Sequence, residues 1–279
     1  MIYLGIVFLI MMPISFISKY SMKTKRRNTR QRKIEKNLPY TPDAKYTETL
    51  GLKSIHLTEA QKELVNKIQD NTITFVEAPA GTGKTLAALY YAVNNYLVNH
   101  DDIVVIRTPV EANSDKIGFL PAGLEDKLEP HFASTKVILE TLLSKGKVQT
   151  EMEKKIFFKI PNYCLGCTFS QSIVIIDEAQ ELSPLILKLL LERIGEYTKV
   201  IICGDPTQVY SHSTNRNGLT SAMKRFFETD TSNNLVRDAD THNLVPLYEN
   251  ICYHRFDISD VVRSEIVKTV LHAYTTNPL

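Results

Sequence analysis

Lys84 and Thr85 close the segment Ala78-Pro-Ala-Gly-Thr-Gly-Lys-Thr85, in which Gly81 and Gly83 precede the lysine. Glycines at such positions let backbone N–H groups curl around phosphate oxygens, and a helix starting there presents its positive end to the same oxygens. The spacing is that of a GxxxxGK[ST] phosphate loop, except that Ala78 takes the place of the first glycine. Ala78, Pro79, Ala80, Gly81, Thr82, Gly83, Lys84 and Thr85 are therefore the candidate nucleotide-binding residues. Lys84 is expected to reach the β and γ phosphates of ATP, and the Thr85 hydroxyl to take a position on Mg²⁺. Alanine in place of the first glycine implies an altered entry to the loop, with the site kept.

A second group of reactive side chains follows the apolar run Ile173-Val-Ile-Ile176, which ends in Asp177-Glu178-Ala-Gln180. Two acids at the end of a buried strand read alone as a solvated turn; behind a phosphate loop they read as metal and water residues. Asp177 is expected to hold Mg²⁺ through water, and Glu178 to polarise the water that attacks the γ phosphate. A third group is Gly204-Asp-Pro-Thr-Gln208, whose Gln208 is a candidate for sensing the γ phosphate or orienting the water.

These side chains need a scaffold that brings strand ends together. Ile73–Val76, Ile103–Ile106, Ile173–Ile176 and Val200–Cys203 are short β-branched apolar runs of the kind buried on both faces of a sheet. Helical stretches are predicted after Thr85, from about Leu124 to Leu143, from Leu182 to Ile194 and from Gly218 to Phe227. The alternation predicts an α/β fold with a parallel sheet flanked by helices, and such sheets bind ligands at the carboxyl ends of their strands.

The chain of 279 residues, 43% hydrophobic and 23% charged, suits one full-sized domain and lacks the composition of disorder or a coiled coil. Formal charge is only +2, but Lys23 to Lys36 is mostly lysine and arginine, so any pull on nucleic acid would start there. The domain organisation predicted is an apolar segment 1–21, a basic arm 22–50 without a packed core, and a globular unit 51–279. Ile2 to Ile17 reads either as a short membrane anchor with its basic flank in the cytoplasm or as a stretch preceding a true start at Met22. It is shorter than the ~20 residues a span prefers and carries Pro13, so the Met22 reading, which makes a membrane partner unneeded, is preferred. Four scattered cysteines, Cys164, Cys167, Cys203 and Cys252, suit a reducing cytoplasm better than a disulfide framework. Cys164 and Cys167 form a CxxC without a second half, which reads as two small apolar residues more readily than as a zinc or redox site.

Taken together, the motifs resemble the PhoH family, a branch close to superfamily 1 helicases. The matching segments are Glu77 to Thr85, Arg107-Thr-Pro-Val-Glu-Ala112 with Gly118-Phe-Leu-Pro121, Ile175 to Gln180, Gly204 to Gln208, and His254-Arg-Phe256 leading to Asp260-Val-Val-Arg263. The resemblance implies a RecA-like P-loop NTPase fold, ATP and Mg²⁺ as cofactors, ATP hydrolysis, and work on RNA or single-stranded nucleic acid. It further implies that Gln61 reads adenine, with a solvated helix face as the alternative, and that Arg107 touches nucleic acid, with pairing to a local acid as the alternative. Arg255 and Arg263 are candidates for the arginine that neutralises transition-state charge. Arg263 is preferred, with a surface helix salt bridge as the alternative, and a homo-oligomeric ring would let it act across subunits. The chain departs from the family at Leu165-Gly-Cys-Thr168, where Arg-Gly-Arg-Thr is usual, which removes two expected cations. A nucleotide-gated protein-binding module, without nucleic-acid-stimulated turnover, is the competing function.

Overall fold

The computed structural model of the chain describes residues 50–108, 124–152, 154–208 and 217–276, all within the compact unit Tyr46–Leu279. The apolar segment, the basic arm and most of the Arg107–Pro121 motif lie outside the described residues. No helix among the described residues is long and apolar enough to cross a membrane.

Six strands, β1 (Ile73–Glu77), β2 (Asp102–Arg107), β3 (Ile156–Lys159), β4 (Ser172–Asp177), β5 (Lys199–Gly204) and β6 (Ile251–Arg255), form one sheet in the order β3-β2-β4-β5-β1-β6. Every pairing in it is parallel, as the alternation predicts. The helices are α1 (Glu59–Asp70), α2 (Lys84–Asn99), α3 (Leu124–Leu142), α4 (Lys145–Glu151), α5 (Pro184–Leu191), α6 (Gly218–Phe226) and α7 (Glu265–Thr276). β3 and β6, short edge strands of mixed polarity, escaped the apolar-run reading, so the run Val200–Cys203 belongs to the fifth strand and not the fourth. Helix α5 stops at Leu191, short of the expected Ile194, because residues 193–195 leave it to pair with Phe169: Phe169 N–H donates to Arg193 O at 2.8 Å and Gly195 N–H to Phe169 O at 2.6 Å.

Strand side chains alternate between two apolar layers. Phe75, Val104, Ile106, Val174, Ile176, Val200 and Ile202 pack with Leu187 and Leu190 of α5 and with Leu219, Ala222 and Met223 of α6. On the other face α2 lies against β2, β4 and β5, while α1 lies against β1 and β6. The buried side of α2 includes Ala87, Ala88 and Ala92, small residues that let its axis run close to the strands. Thr58 starts α1 with a capping box, its hydroxyl accepting from Gln61 N–H while the Gln61 side chain accepts from Thr58 N–H. Ser183 and Asn217 cap α5 and α6 in the same manner with single side-chain acceptors.

One buried titratable group sits under α1. His254 of β6 is 2% exposed, with Nδ1 3.4 Å from Lys67 Nζ and 3.7 Å from Glu63 Oε1, and its ring meets Phe256 edge-on at 4.7 Å. Burial, and then the Lys67 charge, push its pKa down to about 4, against a smaller upward pull from Glu63. The folded state therefore refuses a proton that the unfolded chain accepts below its ordinary value of 6.5. Stability is full above that pH and falls as pH drops from 6.5 towards 4, with a ceiling of about 3 kcal/mol from this group. Urea unfolding at pH 7, 5.5 and 4.5 should show this slope in the wild type and a flatter one in His254→Gln. An equal slope in the variant would assign the pH sensitivity to other groups.

Candidate nucleotide-phosphate site

The loop between β1 and α2 turns on two left-handed residues, Gly81 at φ 87° and Gly83 at φ 81°, where a side chain would be strained. Gly83 is also the N-cap of α2, and no side chain caps that end. The first N–H groups of α2 are thus open to an anion. Ala78 is absent from the left-handed residues; it is buried and its N–H donates to Gly204 O of β5 at 3.1 Å. This position needs a small side chain and no unusual backbone, which explains why alanine serves there. Thr82 Oγ1 donates to Pro79 O at 3.1 Å and closes the loop on itself. Lys84, half-buried at the start of α2, makes no hydrogen bond or ion pair with the described residues, yet its charge is felt by Asp177.

Asp177 ends β4 and is 3% exposed. Thr85 Oγ1 lies 3.4 Å from both of its carboxylate oxygens, and Oδ1 accepts from Glu178 N–H at 3.2 Å. Burial raises the Asp177 pKa, the Glu178 charge raises it further, and Lys84, Arg107 and the Glu178 N–H oppose them. A buried carboxylate so short of compensation, next to a hydroxyl, is a fitting place for Mg²⁺.

Glu178 follows in a left-handed conformation, φ 53°, a position that costs a residue with a Cβ on the order of 1–3 kcal/mol and is found where surroundings impose it. Its carboxylate is held on both sides. Gln180 Nε2 donates to Oε2 at 2.7 Å, and Arg107 Nη2 of β2 lies 3.6 Å from Oε1. Arg107 is opposite Asp177 in the β2–β4 register, and its other arm donates to Ser134 Oγ of α3 at 3.2 Å. Of the two readings for Arg107, pairing with a local acid is thus realised in this structure. Gln180, buried, also accepts from Asp205 N–H through Oε1 at 3.1 Å, and a Cβ on Gly204 would fall 2.5 Å from that oxygen. Gln180 therefore links the end of β5 to Glu178, a role that sequence reading missed although the residue stands two places after the glutamate. Asp205, missed as well, organises the next turn: it accepts from Thr207 N–H at 2.9 Å and Thr207 Oγ1 at 2.6 Å, and from Gln208 Nε2 at 2.8 Å. Gln208 sits just past the strand end with its amide folded onto Asp205.

Two elements flank the loop. Gln61, 2% exposed, donates from Nε2 to Thr82 O at 2.9 Å and accepts from Thr58 N–H at 3.1 Å; it is buried against the phosphate loop, which excludes the solvated-face reading. On the other flank Val262 N–H donates to Gly81 O at 3.0 Å, and Arg263 lies so close that a Cβ on Gly81 would meet its Cδ at 2.9 Å. Arg263 thus lies on the phosphate loop of its own chain. Arg255 stands apart from that strap, with Nε 3.9 Å from Glu77 Oε1 and 3.5 Å from Asp257 Oδ1. Glu77 is the hub of a cluster at the end of β1, its Oε2 accepting from Tyr253 Oη at 2.7 Å and from Arg237 Nη2 at 3.3 Å. Nothing in the motif spacing signals Arg237. The thiols of Cys164 and Cys167 each donate to the carbonyl four residues earlier, and burial pushes Cys164 up to about 11. Among the described residues no group of three or more His, Cys, Asp or Glu could hold a metal.

The sequence matches the PhoH family, described as PhoH-like protein, over residues 55–275. It is 31% identical over 218 residues to a PhoH-like protein of Synechocystis sp., covering 78% of this chain and 61% of that protein. It is 30% identical over 224 residues to a PhoH-like protein of Bacillus subtilis, covering 80% and 64%, and 29% identical over 220 residues to Protein PhoH of Escherichia coli, covering 78% and 57%. The chain thus spans about three-fifths of the length of these curated relatives. Among solved structures it is similar to the large terminase ATPase domain of Thermus phage P74-26, with TM-score 0.46, 14% identity, and 85% and 94% coverage. It is also similar to the Pif1 helicase of Candida albicans, with TM-score 0.35, 14% identity, and 73% and 40% coverage. With the parallel sheet, the phosphate loop and a family match across nearly all of the described unit, the chain belongs to the PhoH-like family.

Proposed function

We propose that this chain binds ATP with Mg²⁺, hydrolyses the γ phosphate, and couples that turnover to RNA or single-stranded nucleic acid. The observation that supports it most is that Thr85 of α2 and Asp177 of β4 face one another at 3.4 Å, with Glu178 beside them and the uncapped start of α2 above.

In this reading the N–H groups from Gly81 to Thr85 grip the phosphate oxygens, and Lys84 neutralises their charge. Thr85, and Asp177 through water, would hold Mg²⁺, which would screen the triphosphate charge. Glu178 takes the proton of the attacking water, and Gln180 keeps its carboxylate facing the site. Gln208, steadied by Asp205, responds to the γ phosphate. Gln61 fixes the loop through Thr82 O. Arg263 offers positive charge to the phosphates from within the same chain. The described residues form one RecA-like lobe, so movement along a strand would call on a second lobe. The Lys23–Lys36 run supplies the charge for backbone contact.

Lys84→Ala should lose ATP binding in a fluorescent-nucleotide titration. Glu178→Gln should bind ATP as the wild type does while turnover falls roughly 10²- to 10⁴-fold, the usual worth of a positioned general base. A Glu178→Gln protein that hydrolyses ATP at the normal rate removes Glu178 from the chemistry. Polyuridylate should raise wild-type ATPase at low salt, and the stimulation should fade as salt rises; turnover indifferent to nucleic acid would favour the protein-binding module instead.

A further inference from the structure

Both oxygens of the Glu178 carboxylate are engaged, one by Gln180 at 2.7 Å and one by the Arg107 guanidinium at 3.6 Å. A guanidinium standing beside one oxygen of a general base takes up the approach that the attacking water needs. The two contacts differ in permanence. Gln180 is buried and tied at its other end to Asp205 N–H. The Arg107 side chain is 24% exposed, its pair with Glu178 is long, and its second arm donates to the Ser134 hydroxyl. A guanidinium fork matches a phosphate better than one carboxylate oxygen at this distance.

We propose that Arg107 is an autoinhibitory restraint on Glu178, released when a phosphate group competes for the guanidinium. This rests on the ATPase reading above. With Arg107 drawn away, Gln180 remains as the pivot that aims the freed carboxylate at the water. The competing phosphate has two sources with one chemistry: the backbone of a bound nucleic-acid strand, or the triphosphate itself, since the Arg107 charge already reaches Asp177.

The test is steady-state ATPase of the full chain, wild type against Arg107→Gln and Arg107→Lys, with and without polyuridylate. Arg107→Gln should raise kcat without nucleic acid roughly two- to fivefold, the worth of a partly exposed ion pair, with KM for ATP unchanged. Arg107→Lys, which keeps the charge but not the fork, should lie between. If the wild type is stimulated by polyuridylate and Arg107→Gln is raised and no longer responds, the strand backbone is the competitor. If Arg107→Gln is raised and the wild type ignores polyuridylate, the nucleotide is the competitor. A basal kcat at or below wild type in Arg107→Gln, in a protein that still binds ATP and melts normally, overturns the restraint. So does a raised kcat that polyuridylate stimulates as strongly as in the wild type. A wild type without any ATPase activity fails the functional reading itself, an outcome distinct from an active wild type whose Arg107 variants behave like it.

Discussion

The approach of the Thr85 hydroxyl to the Asp177 carboxylate, 3.4 Å across 92 positions of sequence, is the contact on which the rest of the site depends. Thr85 opens α2 and Asp177 closes β4, so their meeting requires α2 to pack against the strands from its first turn. The strand order then sets the spacing. β5 lies between β1 and β4, which separates the phosphate loop from the acids by two strand intervals of about 4.8 Å each. That gap is spanned from above by α2 and filled at sheet level by Gly204 and Asp205. A parallel sheet is the economical way to achieve this, because all its strands deliver their last residues to one edge.

Charge at that edge is arranged in layers. Asp177 is the most deeply buried, and its pKa is raised by burial and by its acidic neighbour; a cation is what the position lacks. Glu178 is outside it, in an imposed left-handed backbone, with one fixed partner and one exposed partner. Farther out, at the end of β1, Glu77 gathers Arg237, Arg255 and Tyr253. That cluster fastens the segment before β6 to the residue that precedes the phosphate loop, and it commits Arg255 to carboxylates. The arginine that reaches the loop is instead Arg263, brought there by the backbone bond from Val262 to Gly81. Anchors on two adjacent residues of the loop, Gln61 at Thr82 and the 262–263 strap at Gly81, hold its shape before any nucleotide arrives, which lowers the ordering cost of binding.

Much of the fold was legible from residue order. The four β-branched runs at Ile73, Ile103, Ile173 and Val200 became the four inner strands because strands covered on both faces admit few polar residues. The edge strands were not legible for the converse reason: β3 and β6 have a neighbour on one side only, and Lys159 and Arg255 can keep polar ends at the margin. Helix α5 was overestimated because Glu192-Arg-Ile194 suits a helix locally, and only pairing with Phe169, distant in sequence, draws it out.

The sequence by itself determined the chemistry available: a glycine-shaped loop ending in Lys84 and Thr85, an acid pair behind a buried run, and an amide after a further strand. These are local patterns, in which residue type and spacing of a few positions impose the backbone form. Tertiary structure alone decided how the groups are paired. That Arg107 meets Glu178, that Gln180 joins β5 to the same carboxylate, that Gln61 seats the loop and that Arg263 lies on its own chain's Gly81 all follow from strand order and helix packing. Those depend on contacts between residues tens to nearly two hundred positions apart, which no short-range periodicity encodes.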